Sequence, residues 1–209
     1  RPGRHQDWGY RELLQHDLPA AEAALHAALP GLPMRLGGHS LGGQLGSCYA
    51  GQRTDELDAL YLVASGTPWW RSFPPPRGYL LPLAYRFLPW LADRNGTLPG
   101  RRVGFGGTEA RGLIRDWARV GLSNHYAAAG LDADLEAGLR RIQAPVAAVV
   151  FDADWLAPAS SMRALLAKMP AAPSTLQLLS SAQLNARADH FHWMKSPQAV
   201  ASALLHHDD

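Results

Sequence analysis

Cysteine is almost missing from this sequence: Cys48 is the single one among 209 residues. No disulfide can close within the chain, and a reducing cytoplasm is the expected location. Charge is sparse as well, at 18% of residues with a formal net charge of +2. Lys and Arg are spread along the chain, so neither a nucleic-acid stripe nor a polybasic membrane anchor is expected. Long apolar runs are lacking too. The best candidate, Tyr79 to Leu91, is interrupted by Pro82, Arg86 and Pro89, short of the roughly 18 apolar residues a membrane span requires. Stable membrane insertion is therefore not expected. Hydrophobic residues nevertheless make up 47% of the chain, enough for one sizeable core.

The periodicity alternates between strand and helix. Tyr10 to Leu29 carries apolar residues at helical spacing, with a break expected near Asp17 because Pro19 lies inside the run. A short strand begins at Met34-Arg35-Leu36, and a helix is expected from the glycine-rich turn Gly37 to Gly43 onward to about Arg53. Asp58 to Ser65 and Val146 to Phe151 are apolar runs of the kind covered on both faces of a parallel sheet. A short helix, Leu135 to Ile142, precedes the second of them. A helix over Ala159 to Met169, a strand over Thr175 to Leu179 and a closing helix over Pro197 to His206 follow. Strands separated by helices predict βαβ units and an α/β fold with a mostly parallel sheet. Residues 67–133 change character, with Trp69, Trp70, the run Pro74-Pro75-Pro76 and helical pattern around Ala110 to Val120. They read as a helical lid inserted into a core formed by residues 1–66 and 134–209.

Gly38-His39-Ser40-Leu41-Gly42 matches G-x-S-x-G, with an apolar strand before it and a helix-compatible segment after it. In that setting a serine sits on a tight, strained turn, and small neighbours let adjacent chain approach closely. Its hydroxyl projects at the start of the next helix, where backbone N–H groups favour an oxyanion. The N–H of Leu41 is the natural first donor. A serine hydroxyl needs a base to take its proton, and the base needs a carboxylate to orient it. Asp152 and Asp154 stand after the Val146 to Phe151 strand, and His190 and His192 stand in a loop before the closing helix. His39 adjoins Ser40 and is expected to point away from its hydroxyl. His5, His16, His26, His125, His206 and His207 read as surface residues. The His190-x-His192 pair lacks a third metal ligand at useful spacing.

With Gly37-Gly38-His39-Ser40-Leu41-Gly42-Gly43-Gln44, Asp116-Trp117-Ala118-Arg119, Asp154 to Pro158 and Asp189 to Phe191, the chain resembles the α/β-hydrolase superfamily. More narrowly, it is similar to a bacterial group of hydrolases filed with the serine aminopeptidase S33-like (Hydrolase_4) enzymes; that label does not by itself imply peptidase activity. The superfamily's G-x-x-D-x-x-V-P pattern lays over Phe151 to Pro158 and puts the acid on Asp154, with Asp152 the alternative. His190 takes the place where relatives usually show Gly-His, with Asp189 standing for the glycine and His192 the alternative base. The resemblance further implies an eight-strand domain whose nucleophile strand is the fifth. The chain is accordingly expected to represent the C-terminal half of that fold. Upstream strands, and the loop that donates a second oxyanion N–H, would lie outside it.

The function these residues imply is a carboxylic-ester hydrolase acting on a small apolar acyl ester through Ser40, His190 and Asp154, with no metal or organic cofactor. Trp69 and Trp155 are expected to line the substrate pocket. Thioesterase, amidase or acyltransferase chemistry would use the same three residues, and a non-catalytic, truncated hydrolase-like module is a reading of another class.

Overall fold

A computed structural model describes residues 1–53, 57–102 and 106–205. By contacts the chain falls into two compact units, one of residues 32–67 with 135–209 and one of residues 1–31 with 68–134.

The first unit holds the parallel sheet. Its strands are β1 (Arg35–His39), β2 (Ala59–Val63), β3 (Val146–Phe151) and β4 (Ser174–Leu179), hydrogen-bonded in that spatial order. All three pairings are parallel, in registers such as Gly38 with Leu62, Leu62 with Ala148, and Ala148 with Leu176. Every residue of β3 is buried, as its unbroken Val/Ala/Phe composition requires of a strand covered on both faces. β1 and β4 lie at the two edges of the described sheet, and both are only partly covered. Helices Leu41–Ala50, Leu135–Arg141, Ala159–Leu166 and Gln198–Leu205 connect or follow the strands. Val63, Val149, Phe151, Leu179, Leu184 and Val200 share one apolar cluster between the sheet and the closing helix. The expected end of that helix at His206, and His207 after it, lie outside the described residues.

The second unit is built on two helices, Arg77–Asn95 and Arg111–Ser123. The ring of Tyr85 on the first meets Trp117 on the second edge-on at 4.9 Å, while Ala92, Leu98 and Ile114 form a small buried cluster. Tyr85 is buried, its hydroxyl donates to the Pro68 carbonyl, and burial pushes its phenol up from the ordinary value. Residues 1–31, expected in the sheet core, instead make their contacts here. The buried carboxylate of Asp116 accepts from the Tyr10 N–H at 2.9 Å, and Asp7 accepts from the Gly112 N–H at 2.9 Å. Tyr10 itself is completely buried. The break expected near Asp17 is replaced by a π-turn, Leu13–Asp17, that carries the helix into Leu18–Ala28. A wider turn ahead of Pro19 absorbs the missing N–H and the ring without ending the helix.

Among the described residues no helix is long and apolar enough to cross a membrane. Cys48 lies fully buried on the helix Leu41–Ala50. Burial, reinforced by the Glu136 carboxylate and opposed by Lys168, pushes its thiol well above the ordinary range. Since the thiolate is the reactive form, Cys48 should be modified by iodoacetamide at pH 8 on the order of a hundredfold more slowly in the native chain than in guanidinium. Equal rates in the two states, read by mass spectrometry, would contradict this packing.

Candidate active site

The site grows from the turn between β1 and the following helix. Ser40 has φ 55 and ψ −127, a left-handed conformation that a non-glycine residue holds only when its surroundings over-determine it, at about 1–3 kcal/mol. Those surroundings are backbone packed on backbone. A Cβ placed on Gly38 would lie 2.4 Å from the main chain of Gly42 and Gly43. One placed on Gly43 would lie 2.1 Å from Ser65 Oγ. The Ser65 hydroxyl shares its hydrogen between the carbonyls of Gly38 at 3.0 Å and Val63 at 2.9 Å, binding the ends of β1 and β2 together. The Ser40 N–H donates to the Val63 carbonyl at 3.0 Å, and its own carbonyl accepts from Gly43 and Gln44. Leu41 opens the helix, where the first N–H groups have no intrahelical acceptor.

Asp154 comes three residues after β3 and is buried. Its Oδ1 accepts from the N–H groups of Leu156 at 2.8 Å and Ala157 at 3.1 Å, and its Oδ2 meets His190 Nδ1 at 2.8 Å. His190, also buried, places Nε2 2.8 Å from Ser40 Oγ. A carboxylate can only accept, so Nδ1 carries the proton and Nε2 is left with a lone pair for the serine hydroxyl. The Ala153 N–H donates to the Ala188 carbonyl at 3.0 Å, joining the loop that carries Asp154 to the loop that carries His190. All three side chains thus stand at the carboxyl ends of parallel strands, the usual place for a site in an open α/β sheet.

The structure brings Ser40, Asp154 and His190 together and leaves their alternatives outside. Asp152 is exposed. His192 is exposed as well, and its Nδ1 lies 2.9 Å from the Asp189 carboxylate. That carboxylate also accepts from the N–H groups of Phe191 and His192, and this holds its own pKa below the ordinary value against the opposing effect of its partial burial. Trp155 is 51% exposed, whereas Trp69 is half-buried in the other compact unit. His39, expected only to point away from the hydroxyl, turns its ring onto the loop that carries His190. Its Nε2 donates to the His190 carbonyl at 2.8 Å. Burial and the nearby His190 ring push its pKa below the ordinary value. Ser65 escaped the sequence reading altogether. Its only signal was a polar residue closing an apolar strand. Among the described residues no cluster of three or more His, Cys, Asp or Glu could hold a metal ion.

A parallel sheet with a strained serine at this turn defines an α/β-hydrolase. A family model described as serine aminopeptidase, S33 (Hydrolase_4) matches residues 1–183. The chain belongs to that family, although the match stops short of His190. A comparison with curated protein sequences finds no match. Among solved structures, a metagenome-derived lipolytic enzyme is similar with a TM-score of 0.58 at 16% identity, covering 94% of this chain and 74% of that one. A monoacylglycerol lipase from Paleococcus ferrophilus gives 0.52 at 16%, covering 89% and 68%. An esterase domain of a Rhodothermus marinus protein gives 0.54 at 18%, covering 94% and 66%.

The packing at the elbow makes one structural expectation sharp. Gly38→Ala drives a methyl group into fixed main chain and should destabilise the chain by about 3 kcal/mol or more. Ser65→Ala removes only a shared hydrogen bond and should cost about 1 kcal/mol. Urea midpoints of the two variants test the order; a Gly38→Ala midpoint equal to that of the unsubstituted chain would contradict the close approach.

Proposed function

We propose that this protein is a carboxylic-ester hydrolase in which Ser40 attacks the acyl carbon, His190 takes and returns the proton, and Asp154 orients His190. The observation that carries the reading is the unbroken chain of contacts from Asp154 Oδ2 through both ring nitrogens of His190 to Ser40 Oγ, 2.8 Å at each step.

In the first half-reaction the Ser40 hydroxyl loses its proton to His190 Nε2 as Oγ bonds to the ester carbonyl carbon. The carbonyl oxygen gains the negative charge, and the N–H of Leu41 at the helix start is the donor this chain offers it. The alkoxide leaves with the proton from Nε2, giving an acyl-Ser40. Water then attacks the acyl carbon, gives its proton to His190, and the second tetrahedral intermediate collapses to the acid and free Ser40. Throughout, Asp154 keeps the proton on Nδ1 and stabilises the cation that His190 becomes.

Two features support an apolar acyl group. The acid is followed by Trp155, 51% exposed, and the base by Phe191, 42% exposed, so a partly exposed aromatic residue adjoins each in the chain. The likeness to a lipolytic enzyme, a monoacylglycerol lipase and an esterase domain supports an ester as the bond cleaved.

Steady-state hydrolysis of a short-chain nitrophenyl ester tests the roles. Asp154→Asn should lower kcat by roughly 10⁴-fold and His190→Ala by roughly 10⁶-fold, while His192→Ala and Asp152→Asn should stay within about threefold of the unsubstituted chain. The opposite ranking within either pair would transfer the role to the other residue.

A further inference from the structure

We propose that His39 is a positioning residue that tethers the main chain of His190 to the dipeptide carrying Ser40. The inference rests on His190 acting as the base for Ser40.

His190 is attached to residues 39 and 40 at two points. Its side chain reaches Ser40 Oγ through Nε2 at 2.8 Å. Its backbone carbonyl accepts from His39 Nε2, also at 2.8 Å. A carbonyl cannot donate, so this bond fixes the His39 tautomer with the proton on Nε2. The ring is held in place by the same loop. Its centroid lies 4.7 Å from that of His190, 5.6 Å from the Trp193 ring and 6.0 Å from the Phe191 ring. Trp193 stacks in turn on Phe151 at 5.8 Å, the last residue of β3. His39 therefore joins the end of β1 to the loop that carries the base, within one covalent bond of the nucleophile.

The geometry divides the work. Asp154 sets the rotation of the His190 ring through Nδ1, but a ring held only at Nδ1 can still move with its backbone. His39 fixes the carbonyl, and hence the Cα, from which that ring extends. Any shift of the base loop away from Ser40 breaks the His39 bond along with the Nε2 contact. Misplacement of a reacting group by about 1 Å can cost on the order of 10²-fold in rate, so a second attachment at the main chain matters for turnover rather than for substrate affinity. It also distinguishes His39 from the acid, because its hydrogen bond goes to main chain and is neutral at both ends.

Three variants separate the tether from packing. His39→Phe keeps a ring against Trp193 and removes the donor. His39→Asn places its amide where Nδ1 was, too short to reach the carbonyl. His39→Gln carries an amide N–H to about the position of Nε2. On a short-chain nitrophenyl ester, kcat of the Phe and Asn variants should fall by about 10- to 100-fold with KM within about twofold, and Gln should recover to within about threefold of the unsubstituted chain. A second readout needs no turnover: the downfield imidazole N–H signal from the Asp154–His190 bond, assigned by its loss in His190→Ala. It should broaden away in His39→Phe and His39→Asn and persist in His39→Gln. Equal kcat in all three variants, with the signal unchanged, overturns the tether while leaving the triad standing. Should the unsubstituted chain hydrolyse no ester, the hydrolase reading fails, and the signal alone decides the tether by the same pattern.

Discussion

The backbone of Ser40, held at φ 55 and ψ −127, is the constraint on which the site depends. A β-strand running into an α-helix through one residue cannot turn sharply with ordinary angles, and the strain stored there is offset only by close packing around it. Gly38 and Gly43 permit that packing, and the Ser65 hydroxyl ties the two strand ends that flank it. The result is a hydroxyl that projects at a helix N-terminus and points toward His190. Relaxing the turn would move the half-buried Ser40 hydroxyl away from His190 and from the helix start together.

Around that elbow the parallel sheet acts as a ruler. Asp154 follows β3, a wholly buried strand, and His190 follows β4 by way of a loop bound to the Asp154 loop through Ala153 and Ala188. The two N–H groups that hold Asp154 Oδ1 leave Oδ2 aimed at a single partner. The loop that carries His190 is shaped in turn by Asp189, whose carboxylate gathers the N–H groups of Phe191 and His192. Asp154 and His190 are thus positioned by main-chain contacts of their neighbours, and the contacts between their side chains are the last layer.

Much of this was legible in the sequence because local chemistry left few options. The apolar runs that became β2 and β3 and the glycines around Ser40 can hardly be arranged otherwise. That Asp154 rather than Asp152 meets His190 was legible as a pattern, and its physical reason is burial: one carboxylate points into the loop's N–H groups and the other is exposed. What escaped depended on partners remote in sequence. The helix Arg77–Asn95 runs through Pro82 and Pro89, residues that locally argue against a helix and are overridden by packing such as Tyr85 on Trp117. The π-turn before Pro19, the docking of Tyr10 on Asp116 and the bond from His39 to the His190 carbonyl are likewise set by residues that no local window contains.

The central claim is that a strained, base-activated Ser40 is the nucleophile. Incubation of the full chain with a fluorophosphonate, followed by peptide mass mapping, tests it directly, since only an activated serine reacts quickly with such a reagent. The account predicts a single phosphonyl adduct on the peptide carrying Ser40, abolished in Ser40→Ala while the rest of the map is unchanged. An adduct on another residue, or labelling that persists in Ser40→Ala, would contradict it.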